Sequence, residues 1–358
     1  MTDFEELPEL PGPPDPLAEP EDAADELQGD GDDDPSSGPT TFTAKQDAAG
    51  ARIDLYVTAR FGRLSRTQVQ RMIRDGDVLV NGARTKPSFE ISGGEKISVT
   101  VPPPPIHDLV PEYMPLDVIF EDDSMLAVNK PAGIVVHPAR GHWGGTLINA
   151  VLYHCQKLSN IAPGRPGIVH RLDRNTTGVI LFMKEDWSHR HVARQFEFRR
   201  TKKEYLAIVE GEVPYDSDLI SRPIGRHPTD GKKMAVRMDG GRDAQTEYRV
   251  IERFRGYTYL RALPKTGRTH QIRVHLAAIG HPCAADELYS KRGAVYLSEL
   301  QGAQEHPSDE MPLVARQALH AHKLNVEYPG KKERIEFVAP LAPDMERFLE
   351  VLRQFRAK

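Results

Sequence analysis

Gly167-Ile-Val-His-Arg-Leu-Asp-Arg-Asn-Thr-Thr-Gly178 runs directly into Val-Ile-Leu-Phe-Met183 in a chain of 358 residues. The apolar run is too short for a helix and is bounded by Gly178, so it reads as a buried strand. Asn175-Thr-Thr-Gly178 ahead of it has the composition of a loop. Loops fixed by a rigid strand are where chemistry concentrates. Asp173 stands there between Arg171 and Arg174. A neighbouring cation favours the ionised carboxylate, so Asp173 is a candidate nucleophile or base, and the same arginines suit an anionic substrate. A structural Asp in an ion pair is the plainer alternative that local sequence leaves open.

The flanking chain alternates short strands with helices. Val118-Ile-Phe120, Leu126-Ala-Val-Asn129 and Tyr205-Leu-Ala-Ile-Val209 are strand-like, and 244–252 with 257–263 reads as a hairpin. There is no regular βαβ rhythm and no G-x-G-x-x-G fingerprint. The expectation is therefore α+β with a large mixed or antiparallel sheet. Tyr205, Ala207 and Val209 share one strand face, Leu206 and Ile208 the other. Tyr205 fits either a core position or an aromatic platform for an extruded base. Thr269 is placed to cap a helix through Ile279, ended by Gly280 and Pro282. That puts Arg268 and Arg273 at a helix start, where anions are favoured. Ile272 and Val274 flank Arg273, which makes it less surface-like than Arg268. His170, His270 and His275 are too scattered for a metal site, and structural hydrogen bonding is expected of them.

The amino-terminal part is different in kind. Residues 1–42 hold 14 acids and no Lys or Arg, leaving 38 acids against 47 bases in the rest. The tail reads as disordered, because so few apolar groups cannot offset its ordering entropy. The basic body favours a polyanionic partner such as nucleic acid. A compact segment follows at 43–101, then the stiff linker 102–107 beginning Pro102-Pro-Pro-Pro105, then a long segment 108–358. Within 43–101, Ser65-Arg-Thr-Gln68 is a capping box. Val69, Met72 and Ile73 give the helix its buried face, and Gly76 stops it. Val78-Leu-Val80 is a strand, Asn81-Gly82 a tight turn, and Ile97, Val99 and Val101 alternate as a closing strand. Arg52, Arg63, Arg66, Arg71, Arg74 and Lys86 then form a candidate phosphate-contacting set. Cys155 and Cys283 stand alone, which excludes a disulfide framework and a four-cysteine zinc site. No window is apolar enough for a membrane span, and Met1 to Leu10 lacks a signal-peptide pattern. A cytoplasmic protein is expected.

Two resemblances sharpen this reading. Arg52-Ile-Asp-Leu-Tyr56 and the stretch from Arg66 to Gly82 resemble an S4 RNA-binding domain. His170-Arg-Leu-Asp-Arg-Asn-Thr-Thr-Gly178 resembles the H-R-L-D-x-x-T-[ST]-G motif of the RluA/RluD family of pseudouridine synthases. Val128-Asn-Lys-Pro-Ala-Gly133, Lys203-Glu-Tyr-Leu-Ala207, Thr266-Gly-Arg-Thr-His-Gln-Ile-Arg-Val-His275 and Arg316-Gln-Ala-Leu-His-Ala321 resemble further blocks of that family, in order. His281-Pro-Cys-Ala-Ala-Asp-Glu-Leu-Tyr-Ser290 departs from the family's H-P-x-x-G-D-x-x-Y-G at Ala285 and Ser290. If those glycines take positive φ, each replacement adds strain.

The resemblance implies an enzyme that converts uridine to pseudouridine in RNA after flipping the base. It implies Asp173 as the essential carboxylate, Arg273 as its partner and Tyr205 as stacking residue. It implies Arg171, Ile272, Arg268 and Thr177 as substrate contacts. It further implies no cofactor, no metal, and a monomer acting on large-subunit ribosomal RNA or a pre-ribosomal particle. Transfer RNA or another RNA is the alternative substrate. A non-catalytic ribosome-assembly factor would bind RNA without product, and a metal-dependent nuclease using Asp173 with Asp286 or Glu287 would be stopped by chelators.

Overall fold

The computed structural model describes residues 40–61, 64, 66–101, 109–138, 144–162, 164–303 and 305–358. The acidic tail up to residue 39, Arg63, Ser65 and the linker 102–107 lie outside them. The described chain divides into two units.

The smaller unit has a sheet of four antiparallel strands in the order β1-β4-β2-β3: β1 is Thr40–Thr43, β2 Val78–Val80, β3 Ala83–Arg84 and β4 Lys96–Val99. Helices α1 (Ile53–Arg60) and α2 (Arg66–Asp75) complete it. Thr-Thr-Phe-Thr is β-branched and aromatic, as a strand requires. Phe42 packs with Tyr56 and Phe61 at ring-centroid distances of 6.3 and 6.0 Å. This corrects the tail boundary expected at residue 42, since the sheet already begins at Thr40. Val69, Met72 and Ile73 are buried as expected. Gly76, at φ +90, ends α2, and the N–H groups of Gly76 and Asp77 both donate to the Met72 carbonyl. Asn81 and Gly82 both have positive φ, the type I′ geometry that joins β2 to β3. Residues 137–138 and 144–149 also cluster with this unit.

The larger unit is built on a nine-stranded sheet. Its strands are β5 (Val118–Glu121), β6 (Met125–Lys130), β7 (Thr177–Met183), β8 (Lys202–Glu210), β9 (Ser217–Ser221), β12 (Gln245–Phe254), β13 (Tyr257–Pro264), β14 (Leu319–Glu327) and β15 (Arg334–Val338). A separate pair, β10 (Ile224–Arg226) and β11 (Met234–Val236), lies beside it in the chain. The sheet order is β5-β6-β7-β14-β8-β13-β12-β9, with β15 on β14. Only β7 and β14 pair in parallel, so the sheet is mixed, as expected for α+β.

All seven residues of β7 are buried. Its start is fixed by close packing. Thr177 and Gly178 pair with His320 and Ala321 of β14, and Ala321 pairs on its other edge with Tyr205 of β8. Gly178 has φ +114, and a Cβ there would collide with the Ala321 carbonyl, so only glycine fits. The loop bearing Asp173 is thereby brought within two strands of Tyr205. On β8, Leu206 and Ile208 pack with Phe348, Leu349 and Leu352 of α7 (Pro343–Phe355). Ala207 and Val209 pack on the opposite face with Ile272 and Leu276 of α5 (Gln271–Ala278). The remaining helices are α3 (Leu147–His154), α4 (Asp186–Glu197) and the short α6 (Leu297–Leu300).

Candidate active site

Asp173, Arg273 and Tyr205, distant in sequence, line one cleft with Arg171, Thr176, Phe196, Lys203, Arg268, His270 and Ile272. The cleft is open to solvent along one side. Asp173 Oδ2 accepts from Arg273 Nη1 at 3.0 Å. Arg273 sits in the first turn of α5 with its side chain 4% exposed. The other edge of its guanidinium is gripped by Asp286, Nε to Oδ2 at 2.7 Å and Nη2 to Oδ1 at 2.8 Å. Its face lies over the Tyr289 ring, 5.1 Å from the centroid. Arg273 is thus a fork with one prong on each of two carboxylates.

The charges decide the state of Asp173. Burial pushes its carboxyl up, but His270, Arg273 and Arg171 together outweigh burial and hold it below the usual carboxylate value. It is therefore ionised at neutral pH. Tyr205 moves the other way. Burial, with the Asp173 charge adding to it, raises the phenol well above its ordinary value. Tyr205 keeps its proton. Arg171 Nη1 is buried and has no hydrogen-bond partner among the described residues. A buried, unsatisfied donor is costly.

Two expectations about this site are corrected. Thr177 is not on the cleft wall. Its hydroxyl is buried and bonds His320 Nδ1 at 2.9 Å, because the parallel pairing of β7 with β14 turns it into the sheet. Thr176 lines the cleft instead. Nor does Thr269 cap α5. The cap position is His270, at φ 54 with no side-chain cap bond. Gln271 does the local work: its Oε1 accepts from Arg268 N at 3.0 Å and from Thr266 Oγ1 at 2.6 Å. Ile272 and Arg268 do line the cleft, and Arg268 Nε also donates to the Asp243 carbonyl. Of the two positions where the family has glycine, Ala285 has a positive φ, 57, and Ser290 does not.

Sequence reasoning missed three supporting residues. Lys130 is fully buried, and burial pushes its ammonium down to about 7. Its Nζ donates to the carbonyls of Pro131, Ile134 and Arg174, each at 2.8 Å, and so ties the Asp173 loop to the end of β6. Its place in Val128-Asn-Lys-Pro131 was the available signal. Asp286 was considered only as a nuclease acid, although it stands in the block that carries Tyr289. His270 sends Nδ1 to the Tyr289 hydroxyl at 2.8 Å and places Nε2 3.9 Å from Asp173 Oδ2. His170 and His275 are hydrogen-bonded within the fold, as expected. Glu121, His154 and Cys155 are the three ligand-type side chains that lie close together among the described residues. None lines the cleft, and Glu121 already bonds His154 and Lys184.

In the smaller unit, the candidate phosphate-contacting set separates into two groups. Arg52 and Arg66 bond the buried Asp54, which also accepts from Gln70. Their donors hold the Asp54 carboxyl well below its usual range, Arg52 contributing most. Arg71, Arg74 and Lys86 are exposed. No helix among the described residues is long and apolar enough to cross a membrane.

Comparison with known proteins agrees with this geometry. Residues 124–278 match the family described as RNA pseudouridylate synthase, and residues 51–97 match the S4 domain. An uncharacterised RNA pseudouridine synthase of Bacillus subtilis is 40% identical over 314 residues, covering 87% of this chain and 98% of the relative. Ribosomal large subunit pseudouridine synthase D of Neisseria meningitidis serogroup B is 40% identical over 319 residues, covering 87% and 81%. The same-named protein of Xanthomonas campestris is 40% identical over 311 residues, covering 87% and 92%. Among solved structures, human RNA Pseudouridylate Synthase Domain Containing 4 shares the fold, with TM-score 0.51 and 24% identity over 66% of this chain and 92% of that one. With curated relatives this similar over most of their own length, the chain belongs to the RluA/RluD family of RNA pseudouridine synthases and carries an S4 RNA-binding domain.

Proposed function

We propose that the protein isomerises uridines of large-subunit ribosomal RNA, with Asp173 as the essential carboxylate. The observation that carries the reading is an ionised Asp173 bonded to a buried Arg273 on the wall of an open cleft. The substrate class rests on the relatives named ribosomal large subunit pseudouridine synthase D. We further propose that it acts as a single chain in the cytoplasm.

A stacked uridine must first leave the helix. Arg171 offers an unsatisfied donor to the extruded nucleotide, and Tyr205 and Ile272 offer flat and apolar surface to its base. The C1′–N1 bond then breaks. Asp173 either bonds C1′ or removes a sugar proton, and both routes require the ionised carboxylate that Arg273 maintains. The uracil turns and C5 bonds C1′ as the Asp173–C1′ bond breaks on the first route, or as the sugar proton returns from Asp173 on the second; the C5 proton then leaves and N1 gains one, so product and substrate are isomers. Because Tyr205 holds its proton, its part is stacking and hydrogen-bond donation, not phenolate chemistry.

The test is chemical mapping of pseudouridine after incubation with unmodified large-subunit ribosomal RNA, with Asp173→Asn in parallel. Product at defined sites from the wild type alone is expected. Product from the Asn variant overturns the assignment of Asp173. Product on transfer RNA only overturns the substrate.

A further inference from the structure

Residues 196–203, the end of α4, the turn 198–201 and the start of β8, are anchored to the cleft at both ends, because Phe196 and Lys203 line its wall. Their middle, Phe198 to Arg200, is exposed. Phe196 is buried and stacks on His170, with centroids 4.8 Å apart and planes at 17°. Phe198, two residues on, is 59% exposed. A phenylalanine is normally buried, and the core does not use this one.

The backbone here is held in an unfavourable form. Arg199 has φ 55, the left-handed position after a helix that glycine usually occupies. A side chain is disfavoured there. Strain of this sort points to a demand on the side chains it presents. The turn is nevertheless fixed. Arg200 N donates to the Gln195 carbonyl at 2.8 Å, and the Arg200 carbonyl accepts from Arg334 Nη2 at 3.0 Å. The Arg200 guanidinium lies 5.5 Å from the Phe198 ring centroid. The eight residues carry four bases, Arg199, Arg200, Lys202 and Lys203, and one acid, Glu197.

We propose that this turn binds the RNA strand beside the target uridine, with an unpaired base stacked on Phe198 and the adjoining phosphates held by Arg199 and Arg200. An exposed aromatic ring among cations is the pattern for single-stranded nucleic acid, since every base has a π-face and every link a charge. The ring excludes a duplex as occupant, because paired bases do not present their faces. The proposal rests on the cleft taking a nucleotide of RNA.

The test uses the full chain and a labelled 12-nucleotide oligouridylate carrying 2-aminopurine beside a central uridine. Stacking quenches 2-aminopurine. Phe198→Ala is expected to weaken binding roughly 5- to 100-fold and abolish the quench. Phe198→Trp is expected to keep both, and Phe198→Leu to lose the quench. Arg200→Ala is expected to lower the slope of log affinity against log salt by about 0.7. On large-subunit RNA, Phe198→Ala is expected to raise KM and leave kcat, whereas a failure of the active-site reading would show as unchanged kcat in Asp173→Asn. Binding within twofold of wild type by Phe198→Ala, or a quench that survives it, overturns the proposal.

Discussion

Asp286→Asn is the isosteric change at the second carboxylate of the Arg273 fork, and it is not conservative. Asp286 is fully buried. Its Oδ1 accepts from Arg273 Nη2 at 2.8 Å and from the amides of Leu288 and Tyr289 at 3.0 and 3.2 Å. Its Oδ2 takes only Arg273 Nε, at 2.7 Å. An asparagine will keep its oxygen on the three-donor side and turn its NH2 toward Arg273 Nε–H, so that donor faces donor. One charge-assisted bond is lost, worth roughly 1.5–3 kcal/mol, and buried donors are left unpaired at about 1–3 kcal/mol each. These costs overlap, and the expected loss is the roughly 3–5 kcal/mol typical of removing one partner of a buried ion pair. Arg273 will also lose the anchor that aims its Nη1 at Asp173. A displacement of about 1 Å at such a site costs on the order of a hundredfold in rate. Urea unfolding followed by circular dichroism, together with kcat on saturating RNA, checks both. The reasoning is refuted if Asp286→Asn unfolds within about 0.5 kcal/mol of wild type, a change ordinary for surface sites, or turns over at the wild-type rate.

Two other outcomes are expected. Burial lowers His170 to about 3 and His320 to about 4, from an ordinary 6.5. The unfolded chain therefore takes up protons below 6.5 that the folded chain does not, and stability present above pH 6.5 is lost as pH falls toward 4. The loss is up to about 1.4 kcal/mol per pH unit for each histidine, and melting curves of His170→Gln between pH 7 and 5 should be flatter than wild type. In the S4 domain, Arg71→Ala and Arg74→Ala should each lower the salt slope of RNA binding by about 0.7–0.9 without changing the melting temperature. Arg52→Ala should instead melt that unit earlier, because Arg52 is a partner of the buried Asp54. Anisotropy titrations over a salt series separate the two classes.

Periodicity was enough for the elements. The buried run after Gly178, the β12–β13 hairpin, the Val69–Met72–Ile73 face and the Asn81-Gly82 turn are each local, and local sterics and apolar spacing dictate them. The first S4 strand escaped because Thr40–Thr43 adjoins an acidic stretch, and only its pairing with Lys96–Val99 makes it a strand. Within the cleft, Asp173 was legible from its arginine neighbours, and Arg273 from its apolar flanks and the family resemblance. Asp286 was not, because a carboxylate 13 residues beyond an arginine has no sequence pattern that announces a bidentate grip.

The sequence by itself determined which residue types stand beside one another: Asp173 between cations, Gly178 opening an apolar run, three bases against one acid along α2, and an acidic tail. These follow from nearest-neighbour chemistry and need no fold. Only the tertiary structure decided which groups meet across the sheet. The parallel register of β7 on β14 sends Thr177 to His320 and leaves Thr176 to the cleft. The same register aligns Gly178 and Tyr205 on either side of Ala321. Register and pairing depend on the packing of whole strands, and one step along a strand reverses the face of every side chain.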